Sequence, residues 1–124
     1  MDVTPIIPAG RQVIERYGRS GFRVTGVAYA GSILVFPDRT SDWSVTAMGE
    51  VTAEALQPVM QRGGVEILLL GCGPRMAPVP PALRQALRSA GIVVDAMDTG
   101  AACRTYNVLM AEERRVAAAL IRLG

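Results

Sequence analysis

Between residues 11 and 47, β-branched and aromatic positions alternate with polar ones, and glycine recurs at Gly18, Gly21, Gly26 and Gly31. A period of two interrupted by glycine predicts short strands joined by tight turns. The segments fall near Val13–Arg16, Phe22–Val24, Gly31–Phe36 and Trp43–Val45. Pro37-Asp38 closes the third, because proline removes a ladder donor and favours a turn. Connections this short cannot form a parallel crossover, so an antiparallel meander is expected.

After Glu50 the period lengthens to about 3.6 residues. Thr52 is placed to cap a helix running to about Arg62, Gly63-Gly64 ends it, and Pro58 within it implies a kink or a short first turn. Val65-Glu66-Ile67-Leu68-Leu69-Leu70 is then a nearly continuous apolar run of strand length, as expected of a strand buried on both faces. Pro78, Pro80 and Pro81 lead into a helix over Ala82–Ala90, with Leu83 and Leu87 on one face and Gly91 past its end. Ile92-Val93-Val94 is a second buried strand. Its distance from the first suits a right-handed crossover, which makes the two parallel.

The last stretch contains a conflict. In one straight helix from 101 to 123, Ala102, Tyr106, Leu109, Met110, Ala117 and Leu120 would share a face with Glu113 near its centre. A lone buried carboxylate is costly. Either Glu113 has a partner such as Arg75, or the helix breaks near Glu112-Glu113 and a second helix buries Val116, Ala117, Leu120 and Ile121. The break is the favoured reading.

The 124 residues suit one domain, 1–124, since two halves of that size could each bury little apolar surface. Half of the residues are hydrophobic but only 5% aromatic, so an aliphatic core is expected. All 13 basic residues are arginine, and they are interspersed with 11 carboxylates, leaving a net charge of +2. Without a basic stripe, nucleic acid is not an expected partner. The first residues lack the pattern of a secretory signal and the apolar runs are too short to span a bilayer, so a cytoplasmic protein without membrane insertion is expected. In that compartment Cys72 and Cys103 would remain reduced. The absence of histidine weakens the usual zinc, haem and general-base arrangements. No cofactor, metal or catalytic set is expected.

Ligands of open parallel sheets bind beyond the carboxyl ends of the strands, where helix N-termini converge. Two loops lead off such ends. One carries Gly71, Cys72, Gly73 and Arg75; the other carries Asp98, Thr99, Cys103 and Arg104, with Tyr106 and Asn107 one turn further along the helix. If their strands are neighbours, the loops face one another and could hold a small anion. The alternative is structural: Gly-x-Gly ends a strand and Thr99 caps a helix. Cys103, in the first helical turn, could be an activated thiol with Cys72 near enough to partner it, although packing is the favoured role for both. Asn107 could fasten the Gly71–Arg75 segment. Trp43 reads as core, with a second possible role in anchoring a partner.

The run Asp98-Thr99-Gly100-Ala101-Ala102-Cys103-Arg104-Thr105-Tyr106-Asn107-Val108-Leu109, with Glu112–Arg114 and Ala118–Ile121 after it, resembles small bacterial proteins of unknown function. These are related to mitochondrial complex I assembly factor 3 and to the adipogenesis-associated domain proteins. The likeness extends to Tyr17, Gly21-Phe22, Gly31-Ser32, Pro37, Trp43, Gly71, Gly73 and Gly91-Ile92. It implies a three-layer α/β fold around a mixed central sheet, with no catalytic residue to carry over. Relatives often have threonine at the position of Cys72, and several have glycine at that of Glu113. The expectation is an α/β protein with an N-terminal antiparallel meander and a C-terminal parallel β-α-β-α unit. By analogy it would be a non-catalytic assembly factor binding subunits of a respiratory or membrane complex. An enzyme or small-anion binder using the same crevice is the alternative.

Overall fold

The apolar run after Gly64 forms an inner strand of the main sheet. Successive side chains of a strand point to opposite faces. Leu68 and Leu70 accordingly enter one hydrophobic cluster and Leu69 the other, all with 1% exposure or less. Burying each such leucine contributes roughly 1.5–3 kcal/mol, so two cores back to back around one sheet form the main cohesive element.

The computed structural model describes residues 10–124. Strands β1 (Ile14–Gly18), β2 (Gly21–Val24) and β3 (Val27–Tyr29) make an antiparallel three-stranded sheet. Strands β4 (Ile33–Phe36), β5 (Arg39–Asp42), β6 (Ile67–Gly71), β7 (Val93–Met97) and β8 (Val116–Leu120) make a mixed sheet in the order β5-β4-β8-β6-β7. Helices α1 (Gln57–Arg62) and α2 (Pro81–Ser89) cover one face through Val59, Leu83 and Leu87. Helix α3 (Thr99–Ala111) and the small sheet cover the other through Ala102, Tyr106, Met110, Ile14, Phe22 and Val24. The expected three layers and mixed central sheet are present.

β6 and β7 are parallel, with Leu70 beside Ala96 and Gly71 beside Met97. The parallel β-α-β-α unit read from the sequence is therefore present, and it continues into a third parallel strand. Here the expectation of a second C-terminal helix is corrected. Val116-Ala117-Ala118-Ala119-Leu120 is the central strand, parallel to β6 and antiparallel to β4, with every residue buried. Alanine favours helix, and a short strand buried on both faces has no distinguishing periodicity. Tertiary packing decides instead: small side chains at 117–119 let layers approach from both sides.

The helix ends before β8 where Glu113 suggested it. Glu113 has φ 60°, its N–H donates to Met110 O at 2.9 Å, and its side chain is exposed. A buried pairing with Arg75 is thereby excluded.

Other expectations shift. Trp43–Val45 is not a strand; the polar segment Arg39–Asp42 pairs with β4 instead. Trp43 is core as expected, and its indole N–H donates to Ala55 O at 2.9 Å. Thr52 Oγ1 accepts from Ala55 N–H at 3.1 Å, but it caps only a turn. The helix begins at Gln57, leaving Pro58 in its first turn where its missing N–H is not needed. β3 has only three residues and little burial, which is why alternation did not reveal it.

Candidate functional site

From β6 the chain passes through α2 on one face to β7, then through α3 on the other face to β8. The loops after β6 and β7 therefore depart to opposite sides of adjacent parallel strands, the arrangement in which open sheets usually leave a crevice. The sequence placed its candidate residues at this position.

Here the two loops are joined to each other. Gly73 N–H donates to Thr99 Oγ1 at 2.8 Å, and Thr99 N–H donates to Gly73 O at 2.8 Å. Thr99 Oγ1 donates in turn to Ile121 O at 2.7 Å, beyond the end of β8. Cys72 N–H donates to Met97 O at 2.8 Å, and Ile121 N–H to Gly71 O at 3.0 Å. The side-chain oxygen of Thr99 thus ties three strand ends together from a fully buried position. Gly71 is required by this approach, because a Cβ there would lie 3.0 Å from both Cα and Oγ1 of Thr99. Gly73 is required by its φ of 96°.

The N-terminus of α3 is also occupied. Asp98 accepts from Ala101 N–H at 2.9 Å, filling the capping position. Tyr17 lies over Gly100, and the Arg104 guanidinium donates to the Tyr17 hydroxyl while lying 5.9 Å from its ring centre. Of the candidate residues, Gly71, Cys72, Gly73, Thr99, Cys103 and Tyr106 are buried; Asp98 and Asn107 are half-buried; only Arg75 and Arg104 are exposed. Pro74 and Met76 flank Arg75 on the surface.

The two cysteines are free and belong to different cores, Cys72 on the α2 side of the sheet and Cys103 on the α3 side. Burial pushes the Cys103 thiol up to about 12, outweighing the opposing charge of Arg104. This is the reverse of an activated thiol. Burial likewise raises the Tyr106 phenol, whose hydroxyl donates to Gln12 O at 3.1 Å. Asn107 does not fasten the Gly71–Arg75 loop as expected. Its Oδ1 accepts from Ile14 N–H at 2.9 Å and its Nδ2 donates to Ile14 O at 2.8 Å, so it holds β1 against α3.

Residues 14–121 match the family described as Protein of unknown function (DUF498/DUF598). The chain belongs to this family. It is 35% identical over 109 residues to the NADH dehydrogenase [ubiquinone] 1 alpha subcomplex assembly factor 3 of Xenopus tropicalis, covering 87% of this chain. It spans only 60% of that relative's length. An uncharacterised Rhodobacter capsulatus protein is 35% identical over 113 residues, covering 91% of this chain and 86% of its own. A Bordetella pertussis protein described as a Mth938-like domain superposes with a TM-score of 0.82 at 30% identity, covering 98% of this chain and 92% of that one. The family resemblance carried by Asp98–Leu109 is therefore correct, and so is the fold class.

Sequence reading of this DUF498/DUF598 chain did not single out the opposite end of the sheet. There, the segments entering β6 and β8 and the β4–β5 turn enclose a cleft of about 350 Å³ lined by Arg11, Arg62, Arg114 and Arg115 together with Asp38 and Glu113. Four arginines from three distant segments leave no local signal; only Arg114-Arg115 are adjacent.

Proposed function

We propose that this chain is a cytoplasmic, non-catalytic binding protein that aids assembly of a respiratory membrane complex. The observation carrying this reading is the match of nearly nine-tenths of the chain to relatives named as complex I assembly factors. The geometry at the carboxyl end of the sheet supports it: the polar groups of Thr99, Gly73 and Asp98 already bond within the chain, and the Cys103 thiol is held protonated. Groups engaged in this way stabilise a surface better than they perform acid–base or nucleophilic work. No helix among the described residues is long and apolar enough to cross a membrane.

Of the surface expected from the sequence, Arg75 and Arg104 are the exposed members, and exposed Met76 follows Arg75. Met76 is 62% exposed. An exposed methionine next to an arginine, just after a Gly73 tied by hydrogen bonds to Thr99, suits recognition by a protein whose matching patch is apolar with an acidic rim. The test is native-gel analysis of respiratory complexes in cells lacking the chain. Assembly should fail, the wild-type chain should restore it, and a Met76→Asp/Arg75→Glu double variant should not. Normal assembly without the chain would refute the proposal.

A further inference from the structure

We infer that the arginine-lined cleft at the amino ends of β6 and β8 binds a small organic phosphate dianion. This is independent of the assembly reading, because the cleft lies at the other end of the sheet from the Arg75–Met76 surface. Its lining residues include four arginines against Asp38 and Glu113, an excess of two positive charges. Guanidinium is the side chain best matched to phosphate, offering paired N–H donors in a plane.

The four groups differ in availability. Arg62 is anchored by an ion pair with Asp38 and by stacking on Phe36, with its guanidinium carbon 4.4 Å from the ring centre. It therefore provides a fixed donor wall. Arg115 pairs with Glu66 at 3.5 Å, but both side chains are more than half exposed, so that pair constrains little. Arg11 and Arg114 have no carboxylate partner among the described residues. The turn after α3 positions Arg114 and Arg115: Glu113 adopts φ 60°, and Arg114 N–H donates to Leu109 O at 3.0 Å.

A competing role for these arginines is to offset the negative end of α3. That end, however, is already closed by backbone donors, with the N–H groups of Glu112, Glu113 and Arg114 bonded to Val108, Met110 and Leu109 carbonyls. The remaining macrodipole amounts to about half a charge, less than the excess in the cleft. Pro37, Val65, Met110 and Val116 give the same cleft an apolar wall. Its volume is at the lower end for small-molecule sites, so the occupant has room for a few carbon atoms besides the phosphate.

Titration calorimetry of the whole chain at low ionic strength, with inorganic phosphate, glycerol 3-phosphate and succinate as probes, tests this. Glycerol 3-phosphate should bind at least as tightly as inorganic phosphate, and both several-fold more tightly than succinate. Arg114→Ala and Arg11→Ala should each weaken phosphate binding about fivefold or more, and added sodium chloride should weaken it further. Glu113→Gln should strengthen it, since one carboxylate leaves the cleft while the turn is kept. Arg104→Ala, at the far end, should leave it unchanged. Circular dichroism of each variant separates lost binding from lost fold. Absence of binding by all probes at millimolar concentration, equal binding of succinate, or indifference to the Arg11 and Arg114 substitutions would overturn the inference.

Discussion

Thr99 and Gly73 exchange two hydrogen bonds across the carboxyl end of the sheet, each at 2.8 Å, one through backbone N–H and carbonyl and one through the threonine hydroxyl. The hydroxyl also donates to Ile121 O at 2.7 Å, so one oxygen serves the ends of β6, β7 and β8. Replacing Thr99 by valine keeps the shape and leaves the Gly73 N–H and the Ile121 carbonyl without partners in a buried site. The expected loss is about 2–4 kcal/mol, read from denaturant midpoints, because each unpaired buried group costs about 1–3 kcal/mol. Thr99→Ser should lose much less. Equal stability of the valine variant and wild type would show that the hydroxyl is not the tie described.

Asn107 and the backbone of Ile14 form a second such junction, between α3 and the small sheet. Asn107→Leu should cost about 2–3 kcal/mol, since two bonds are lost and both backbone groups of Ile14 lose a partner. The damage should be local. Hydrogen exchange should speed up over residues 14–24 and remain slow over 67–71 and 116–120; uniform acceleration would contradict this division.

Glu113 takes a left-handed backbone conformation with an exposed side chain. A non-glycine residue there costs about 1–2 kcal/mol, partly offset by the chain entropy a glycine loses on folding. Glu113→Gly should therefore raise stability by roughly 0.5–1 kcal/mol in thermal melts. Glu113→Val, β-branched and more strained at positive φ, should lower it.

The Cys103 thiol has its value raised from an ordinary 9.0 to about 12 by burial. The folded state thus disfavours the thiolate. Its stability contribution is intact below about pH 9 and is lost as pH rises from there toward 12. Alkylation of Cys103 at pH 8, followed by peptide mass spectrometry, should be slow in the folded chain and fast in denaturant. In Cys103→Ala the alkaline loss of stability should shrink without vanishing, because Tyr106 is shifted in the same direction. Rapid labelling under native conditions would restore the reactive-thiol reading.

Much of this architecture was readable along the chain because it depends on local periodicity. The run 65–70, the proline-to-glycine span of α2 and the break at Glu113 each follow from neighbouring residues and steric rules; the cap of α3, expected at Thr99, is one residue earlier at Asp98. The crossover length argued that β6 and β7 are parallel, while the adjacency of the Gly71 and Asp98 loops was a condition that the structure meets.

Three features depended on residues distant in sequence. Whether Val116–Leu120 became helix or strand was decided by the gap between β4 and β6, which needed a narrow strand with small side chains, overriding the helical preference of three alanines. The loops after β6 and β7 are tied together because Thr99 meets Gly71 and Gly73, a contact that the missing side chain of Gly71 makes possible and no spacing rule encodes. The arginine cleft arose only when residues 11, 62 and 114–115 came together. Amino-acid pattern determines where the backbone can be regular and which faces must leave water; three-dimensional packing determines which polar groups meet, because hydrogen bonds and charges act over a few ångströms between segments the chain keeps far apart.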